Sequence, residues 1–206
     1  GGAGGVGSDG KAAMVENHGD ILTVGAGSHG ILAQSIGGGG GNANFNIALS
    51  YAGASTSPPG KVGKVLNSVK SLVGKPAGEY DSNTTKAKQN KGFGLAVGGA
   101  TGDGGDGGNV DVVHRGNIST AGANSYGILS QSIGGGGGNG GFNVAVSVAA
   151  GIETGSGAVG VGLGGDGDEG GSGGDVIAST AATITTQGDN AAGVLAQSIG
   201  GGGGNG

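Results

Sequence analysis

The sequence contains no cysteine and no tryptophan, and among its 206 residues there are only three prolines, three phenylalanines and three tyrosines. The absence of cysteine excludes a disulfide framework and a thiolate metal site. With so few aromatic side chains, a bulky globular core is also excluded. No apolar run reaches the roughly 18 residues needed to span a membrane. The net charge of −5 argues against a nucleic-acid partner.

Glycine, in contrast, is abundant, with 59 residues. Each glycine loses more backbone freedom on folding than any other residue, at a cost of roughly 0.5–1 kcal/mol relative to alanine. A disordered linker would be expected to have a high charged fraction and few apolar residues. Here the charged fraction is only 11% and the apolar residues fall in regular alternating runs. The composition therefore favours an ordered but unusual architecture.

A thirteen-residue motif, Gly-Ile-Leu-Ala-Gln-Ser-Ile-Gly-Gly-Gly-Gly-Gly-Asn, occurs at 30–42 and recurs at 127–139 and 193–205. The copies differ only by Ser130 in place of Ala33 and by Val194 in place of Ile31. This fidelity identifies a repeat array. The motif positions that we expect to carry the repeat are Gly30, Ile31, Gln34, Ile36, Gly39, Gly127, Ile128, Gln131, Ile133, Gly136, Gly193, Val194, Gln197 and Ile199.

The motif spacing divides the chain into units at about 1–107, 108–173 and 174–206. The first two copies lie 97 residues apart and the last two lie 66 apart, so the first unit carries 31 extra residues. Matching of the flanking sequences places this insertion at about 54–91. Since the chain begins and ends inside a repeat, we interpret it as a fragment of a longer array.

Within each unit, short alternating runs are separated by glycine or asparagine turns. In the second unit these runs are 110–112, 118–120 and 127–133. Alternation of apolar and polar residues is typical of half-buried strands. Three such strands in a circuit of about 20 residues predict an all-β fold, a right-handed parallel β-helix (β-solenoid) with glycine-rich loops. The narrow interior would hold Ile, Val, Ala, Ser and Thr.

After each glycine run, two further strands alternate large apolar residues with small ones. We interpret each pair as a protruding β-hairpin whose apolar face folds back onto the solenoid wall. There it would cover Leu32 and Ile36, while Ile31, Ala33 and Ser35 point into the coil. The glycine-bearing face would then allow a backbone to approach closely. The large residues are Phe45, Ile47, Leu49, Tyr51, Phe93, Leu95 and Val97 in the first unit, and Phe142, Val144, Val146, Val148, Val159, Val161 and Leu163 in the second.

The insertion differs from the rest of the chain because it is basic. Its seven lysines against Glu79 and Asp81 give +5, which leaves −10 elsewhere. Apolar residues at helical spacing, between prolines and a glycine, predict a short amphipathic helix over 62–73. A charged loop tip is most often simply solvated, and the functional alternative is contact with an anionic partner. The candidate partner-contact residues are Lys61, Lys64, Lys70, Lys75, Lys86, Lys88 and Lys91.

Enzyme chemistry finds no support in the sequence. The glycine runs lack the Gly-Lys-Ser/Thr ending of a phosphate loop, and no serine has a partner base. Asp103–Asn109 resembles a calcium-binding nonapeptide but does not sustain its pattern, so calcium is a minor possibility and no cofactor is expected. His18, His29 and His114 are scattered, and the repeat alignment of His29 with Tyr126 predicts a solvated or stacking role.

The repeat motif, preceded by Gly-x-Ile-x-Thr-x-Gly-x-x-Ser-x-Gly at 19–30, resembles the passenger repeats of large autotransporter adhesins of Gram-negative bacteria. The resemblance covers nearly all of the chain except the insertion. It implies a secreted, surface-exposed β-helical stalk that is exported through the outer membrane by a barrel domain elsewhere in the parent chain.

We therefore expect a non-enzymatic stalk or adhesin segment at the bacterial cell surface, with a host or matrix protein, a surface glycan or another copy of itself as partner. About eight to nine stacked coils would give a length on the order of 40 Å. The alternatives are a glycine-rich ligand-binding module, either ice-binding or a bundle of polyproline-type helices, and a self-associating fibre segment. A polyglycine bundle would require a continuous Gly-Gly-x period, which runs of isoleucine and valine interrupt here.

Overall fold

The computed structural model describes residues 2–53, 91–150 and 157–206. These residues form thirteen strands and no helix, which confirms the predicted all-β class. The helix predicted over 62–73 lies outside the described residues. The strands are β1 (Ala13–Asn17), β2 (Ile21–Thr23), β3 (Ile31–Ile36), β4 (Asn46–Gly53), β5 (Lys91–Val97), β6 (Val110–His114), β7 (Ile118–Thr120), β8 (Ile128–Ile133), β9 (Asn143–Ala150), β10 (Gly157–Leu163), β11 (Val176–Thr180), β12 (Ile184–Thr186) and β13 (Val194–Ile199).

Nine of these strands form three parallel sheets of three strands each, in the orders β1-β6-β11, β2-β7-β12 and β3-β8-β13. Each sheet takes one strand from each repeat, so the repeats form three layers: layer 1 (β1–β3), layer 2 (β6–β8) and layer 3 (β11–β13). Together with the adjoining glycine segments these layers form one compact unit, the stacked unit, which comprises Ala3–Asn42, Thr101–Asn139 and Gly167–Gly206. The strands predicted in the second repeat are confirmed as β6, β7 and β8.

The pairing register follows the sequence repeat without a slip. Ile128 pairs with Ile31 on one side and with Val194 on the other, at the motif spacings of 97 and 66 residues. One complete repeat therefore contributes a single layer. The expected count of eight to nine coils is wrong, because the chain passes through a glycine segment and two further strands before it begins the next layer.

Alternation along each strand separates an interior face from an exterior face. In β3, Ile31, Ala33 and Ser35 are buried as predicted. Their ladder continues through Ile128 and packs with the side chains of Val110, Val112 and Ile118 into one narrow core. The prediction that Leu32 and Ile36 are covered on the other face is wrong, since their side chains are 52% and 57% exposed.

The glycine segments of the stacked unit are hydrogen-bonded with a period of three. The amides of Gly37 and Gly40 donate to carbonyls of the next layer, at 2.8 Å and 2.7 Å. The amides of Gly38 and Gly41 donate instead to Ser8 and Gly5, at 2.7 Å and 2.6 Å. A three-residue period matches a polyproline II helix. The isoleucine and valine strands that separate the glycine segments along the chain belong to the β sheets. They therefore do not prevent the glycine segments from packing against one another.

The four remaining strands form a second compact unit, the paired-sheet unit, which lies within Ala43–Ala100 and Gly140–Asp166. The predicted β-hairpins are wrong in their pairing. β4 pairs in parallel with β9, and β5 pairs in parallel with β10, so each arm bonds its counterpart in the neighbouring repeat and not the other arm of its own repeat. Pairing at offset 97 for β4 and 66 for β5 places the 31 extra residues between these two strands.

The two parallel sheets of this unit face each other through small side chains. Ala96 is fully buried, and a Cβ built on Gly160 would lie 2.9 Å from the Ala145 carbonyl oxygen. Ser147 donates to the Val159 carbonyl at 2.7 Å across the same interface. The prediction that the glycine-bearing face permits close approach is confirmed, but its partner is the facing sheet. On β5 and β10 the large apolar side chains lie on the opposite face and are exposed.

Candidate functional site

The lysine-rich segment predicted from the sequence lies, except for its last residue, outside the described residues. Lys61, Lys64, Lys70, Lys75, Lys86 and Lys88 lie outside the described residues. Lys91 is the first residue of β5 and pairs with Gly157 through the backbone. The suggestion that these lysines contact an anionic partner therefore stays a prediction.

The repeat motif has separable structural roles. Gly30 permits close layer stacking, because a Cβ there would lie 2.5 Å from the Gly127 carbonyl oxygen and 2.7 Å from a methyl group of Ile118. The glutamines form an outer ladder in which the Gln34 amide donates to Gln131 at 2.6 Å and the Gln131 amide donates to Gln197 at 2.6 Å. The close approach at this glycine and the glutamine ladder together explain why the motif repeats so closely.

The last serine of the motif bridges two layers from the interior. The buried Ser35 hydroxyl donates to the Lys11 carbonyl at 2.7 Å and accepts from the Gly108 amide at 2.9 Å. One layer further, Ser132 repeats this arrangement with Gly108 and Gly174. The sequence pattern predicts only that this serine lies in the interior. The signal in the sequence was that all three copies of the motif have serine at this position. This indicates that the hydroxyl group forms hydrogen bonds and does not merely fill space.

Amide and carboxylate side chains at the turns form further ladders between layers. The Asn139 amide group donates to Asn42 Oδ1 at 3.2 Å, and Asn205 contacts Asn139 in the same way. Asp106, in the stretch that resembles a calcium loop, accepts the Ser172 amide hydrogen at 2.7 Å. Within 2–53, 91–150 and 157–206 no three His, Cys, Asp or Glu side chains are grouped to hold a metal ion. The acidic residue thus has a visible role in layer stacking.

The three histidines lie in three different environments. His29 stacks on Tyr126 with ring centroids 5.2 Å apart, which confirms the stacking role predicted from the repeat. His114 is fully buried and its Nδ1 lies 3.2 Å from the Asn17 amide nitrogen. His18 is exposed and contacts Glu16 at 2.9 Å. The hydrogen bond from His18, aided by its charge, lowers the pKa of Glu16 below the ordinary value.

The surface most suited to a macromolecular partner is the outside of the paired-sheet unit. On β5 and β10 the exposed side chains alternate with buried or small ones, and we call this set the outer apolar face: Phe93, Leu95, Val97, Val159, Val161 and Leu163. Exposed, contiguous apolar side chains of this kind commonly mark interaction sites. The sequence indicated an apolar face but not that it points to solvent. The signal that could have shown this is the glycine or alanine at every alternate position.

At the start of the other sheet of this unit, Phe45 and Phe142 stack with ring centroids 5.6 Å apart and are both mostly exposed. They precede β4 and β9, so the same parallel register that pairs the strands also stacks the rings. Aromatic side chains supply large contact areas at interfaces. This pair is a second candidate contact in the paired-sheet unit.

In the part of the chain that the structure describes, no helix has the length and apolar character required to cross a membrane. Comparisons with protein-family models, with curated protein sequences and with solved structures found no match to this chain. The features of the molecule that bear on its function are therefore the repeat geometry and the exposed surfaces.

Proposed function

We propose that this chain is a non-enzymatic segment of a bacterial cell-surface stalk or adhesin, built as a right-handed parallel β-solenoid. The supporting observation is the constant register: each complete repeat adds one in-register layer to three parallel sheets. An arrangement of this kind extends by simple repetition and shares one continuous core, as solenoid proteins do. A spacer requires this property, whereas a catalytic function does not.

The interior supports the spacer role because it combines apolar and polar ladders. Ile118 and Ile128 are fully buried, and the serine bridges join each layer to the next. Stacked identical residues allow a narrow core to remain continuous whatever the number of repeats. With three layers, about 4.8 Å apart, the described stack is short, and a stalk would depend on many more repeats.

The spacer role can be tested by adding repeats. A second copy of residues 108–173 inserted after 173 should lengthen the particle by about 4.8 Å per added repeat in X-ray scattering. A control of equal length, with the same 66 residues scrambled, should instead increase the radius of gyration as an unfolded chain does. Equal behaviour of the two would refute the solenoid.

The adhesive role is supported by the outer apolar face together with the stacked phenylalanines. We propose an extracellular location on a Gram-negative bacterium and, as partner, a host or matrix protein or a surface glycan. Binding of the chain to arrays of matrix proteins and glycans tests this. Phe93→Ser combined with Leu163→Ser should abolish the binding without lowering the melting temperature, because both side chains are more than half exposed.

A matched variant separates this face from the lysine-rich segment. The second repeat connects the equivalent strands through the six residues 151–156, so replacing 54–90 by a copy of 151–156 removes the insertion at the natural connection. Retained binding in this variant would favour the outer apolar face, and lost binding would favour the lysines. If the unaltered chain binds nothing in either array, the adhesive role is refuted while the spacer role is unaffected.

A glycine-rich ligand-binding module is the second candidate, and the period-three hydrogen bonding of the glycine segments favours it. Gly39 and Gly136 occupy the one position in three that faces outward in the array. An ice-binding function would require this surface to inhibit ice recrystallisation. Absence of inhibition at millimolar protein would exclude ice as the ligand.

A further inference from the structure

The outer apolar face is formed without any polar side chain. After Lys91, strands β5 and β10 consist only of glycine, alanine, valine, leucine and phenylalanine. A sugar hydroxyl or a charged side chain placed against these residues would lose its hydrogen bonds to water and gain none in return. The face therefore fits a partner surface that is itself apolar.

The area of this face is sufficient for a specific protein contact. The exposed fractions of its six side chains range from 37% for Val161 to 64% for Phe93. On the scale of roughly 150–250 Å² for a large side chain, they leave an apolar area on the order of 500 Å² exposed. Two such faces in contact would bury roughly 1,000 Å², which is the lower limit for a specific interface.

The face is also complementary to itself in shape. Pairing of β5 with β10 places a larger side chain beside a smaller one in each of three rows, which are Phe93 with Val159, Leu95 with Val161, and Leu163 with Val97. A two-fold axis parallel to the strands brings β5 of one copy over β10 of the other. Every larger side chain then faces a smaller one, which allows the two layers to interdigitate. The strands remain aligned, as in a β-sandwich whose sheets lie about 10 Å apart.

The charge of the chain favours contact between copies at this face over contact elsewhere. With a net charge of −5, two copies repel each other. Burial of the outer apolar face removes apolar area from water without bringing a carboxylate of either copy into the contact.

We propose that the outer apolar face binds the same face of a second copy of this chain, with the two-fold axis parallel to the strands. Such an interface is isologous, so it closes with two copies. The proposal rests on the adhesive role proposed above for this face, and it names the partner as the same chain on a neighbouring stalk.

Sedimentation of the 206-residue chain tests the proposal, and the expected result is a reversible equilibrium between monomer and dimer. Leu95→Asp places a carboxylate in the middle of the face and should weaken dimerisation by about thirtyfold or more. Leu32→Asp is the matched control, because Leu32 is 52% exposed and Leu95 is 50% exposed, and it should dimerise as the unaltered chain does. A folded monomer at all concentrations, or equal weakening by both substitutions, would overturn the proposal.

Cross-linking tests the orientation without adding charge to the face. Because the chain has no cysteine, a mixture of Leu95→Cys chains and Val161→Cys chains reports only on the introduced thiols. Mild oxidation should produce a disulfide between position 95 of one copy and position 161 of the other, identified by mass spectrometry. Leu32→Cys mixed with Val161→Cys should give no such link. If the first mixture also gives none, the proposed contact is wrong.

The binding arrays separate this inference from the adhesive role on which it rests. A chain that binds a matrix protein or a glycan through the outer apolar face but stays monomeric would overturn the inference alone. A chain that dimerises through the face and binds nothing in the arrays would support the inference, while contact with a host protein or glycan would be refuted.

Discussion

The hydroxyl of Ser132 donates to the carbonyl of Gly108 at 2.8 Å and accepts the amide hydrogen of Gly174 at 2.8 Å. Two residues earlier on the same strand, Ser130 is equally buried but its hydroxyl has no partner among the described residues. Identical side chains in β8 thus have opposite energetic consequences. One satisfies two backbone groups of successive layers, and the other buries a polar group without compensation.

We predict that Ser132→Ala lowers the free energy of unfolding by about 1–3 kcal/mol, because it leaves the Gly108 carbonyl and the Gly174 amide without this partner. Ser130→Ala is the matched control and should be neutral or stabilising, since Ala33 and Ala196 occupy the equivalent positions in the other layers. Urea unfolding of both variants measures the difference. If the two variants lose a comparable free energy of unfolding, the hydrogen bonds of the Ser132 hydroxyl contribute nothing to stability.

The contact between His18 and Glu16 gives a prediction about pH. The hydrogen bond to His18 lowers the pKa of Glu16, so its stabilising contribution is present above the ordinary pKa of glutamate and is lost as the pH falls through the lowered value. His18→Ala should return the pKa of Glu16 toward its ordinary value in an NMR titration. Both side chains are well exposed, so no change in melting temperature is expected. A pKa that does not move on substitution would show that the contact is not populated in solution.

The glycine runs contain positions that tolerate a side chain and positions that do not. From the sequence alone, Gly39 and Gly136 are expected to be more sensitive to valine than Gly170, because the glycine run of the motif would pass close beneath the predicted hairpin. The structure reverses this order. A Cβ on Gly136 would lie 3.6 Å from the nearest atom, whereas one on Gly170 would clash with the backbone of Gly201.

We predict that Gly135→Ala is strongly destabilising while Gly136→Ala is tolerated. A Cβ on Gly135 would overlap the Gly38 carbonyl of layer 1, and the Gly135 amide must approach closely to donate to Gly105 at 2.8 Å. Gly136 is exposed, and the nearest described atom to a Cβ there would be the Gly202 carbonyl oxygen, at 3.6 Å. Thermal unfolding of the two variants tests this. Equal melting temperatures would contradict the packing of the glycine segments.

The positions of the strands followed from local pattern, whereas the partners of some strands did not. In β3 the alternation of Ile31, Ala33 and Ser35 with larger or polar residues predicted the buried face correctly, because pleating fixes which side chains share a face. For β4 and β5 the same alternation predicts a hairpin. Alternation cannot distinguish pairing within a repeat from pairing between repeats, since both satisfy the same backbone groups.

The orientation of the paired sheets was predicted wrongly for a related reason. Burial of large apolar side chains is the usual rule, but a face bearing Gly160 and Ala145 can also be buried when the backbones approach closely. Close approach favours small side chains and many weak contacts between main-chain atoms. Composition alone does not show which of the two faces is covered. The outer apolar face could therefore be recognised as exposed only from the structure, which shows that the opposite face of this sheet packs against the facing sheet.

This inverted arrangement yields the last prediction. Ala96 of β5 is fully buried between the facing sheets, while its neighbour Leu95 is 50% exposed on the outer apolar face. Ala96→Leu should destabilise the chain by about 1–3 kcal/mol, because the larger side chain forces the sheets apart. Leu95→Ala, which shortens the adjacent exposed side chain, should lower the free energy of unfolding by well under the roughly 2–5 kcal/mol typical of a buried leucine. Hydrogen exchange of the β5 and β10 amides reports on this unit specifically. A larger loss of protection in Leu95→Ala than in Ala96→Leu would mean that the apolar side chains are the buried ones.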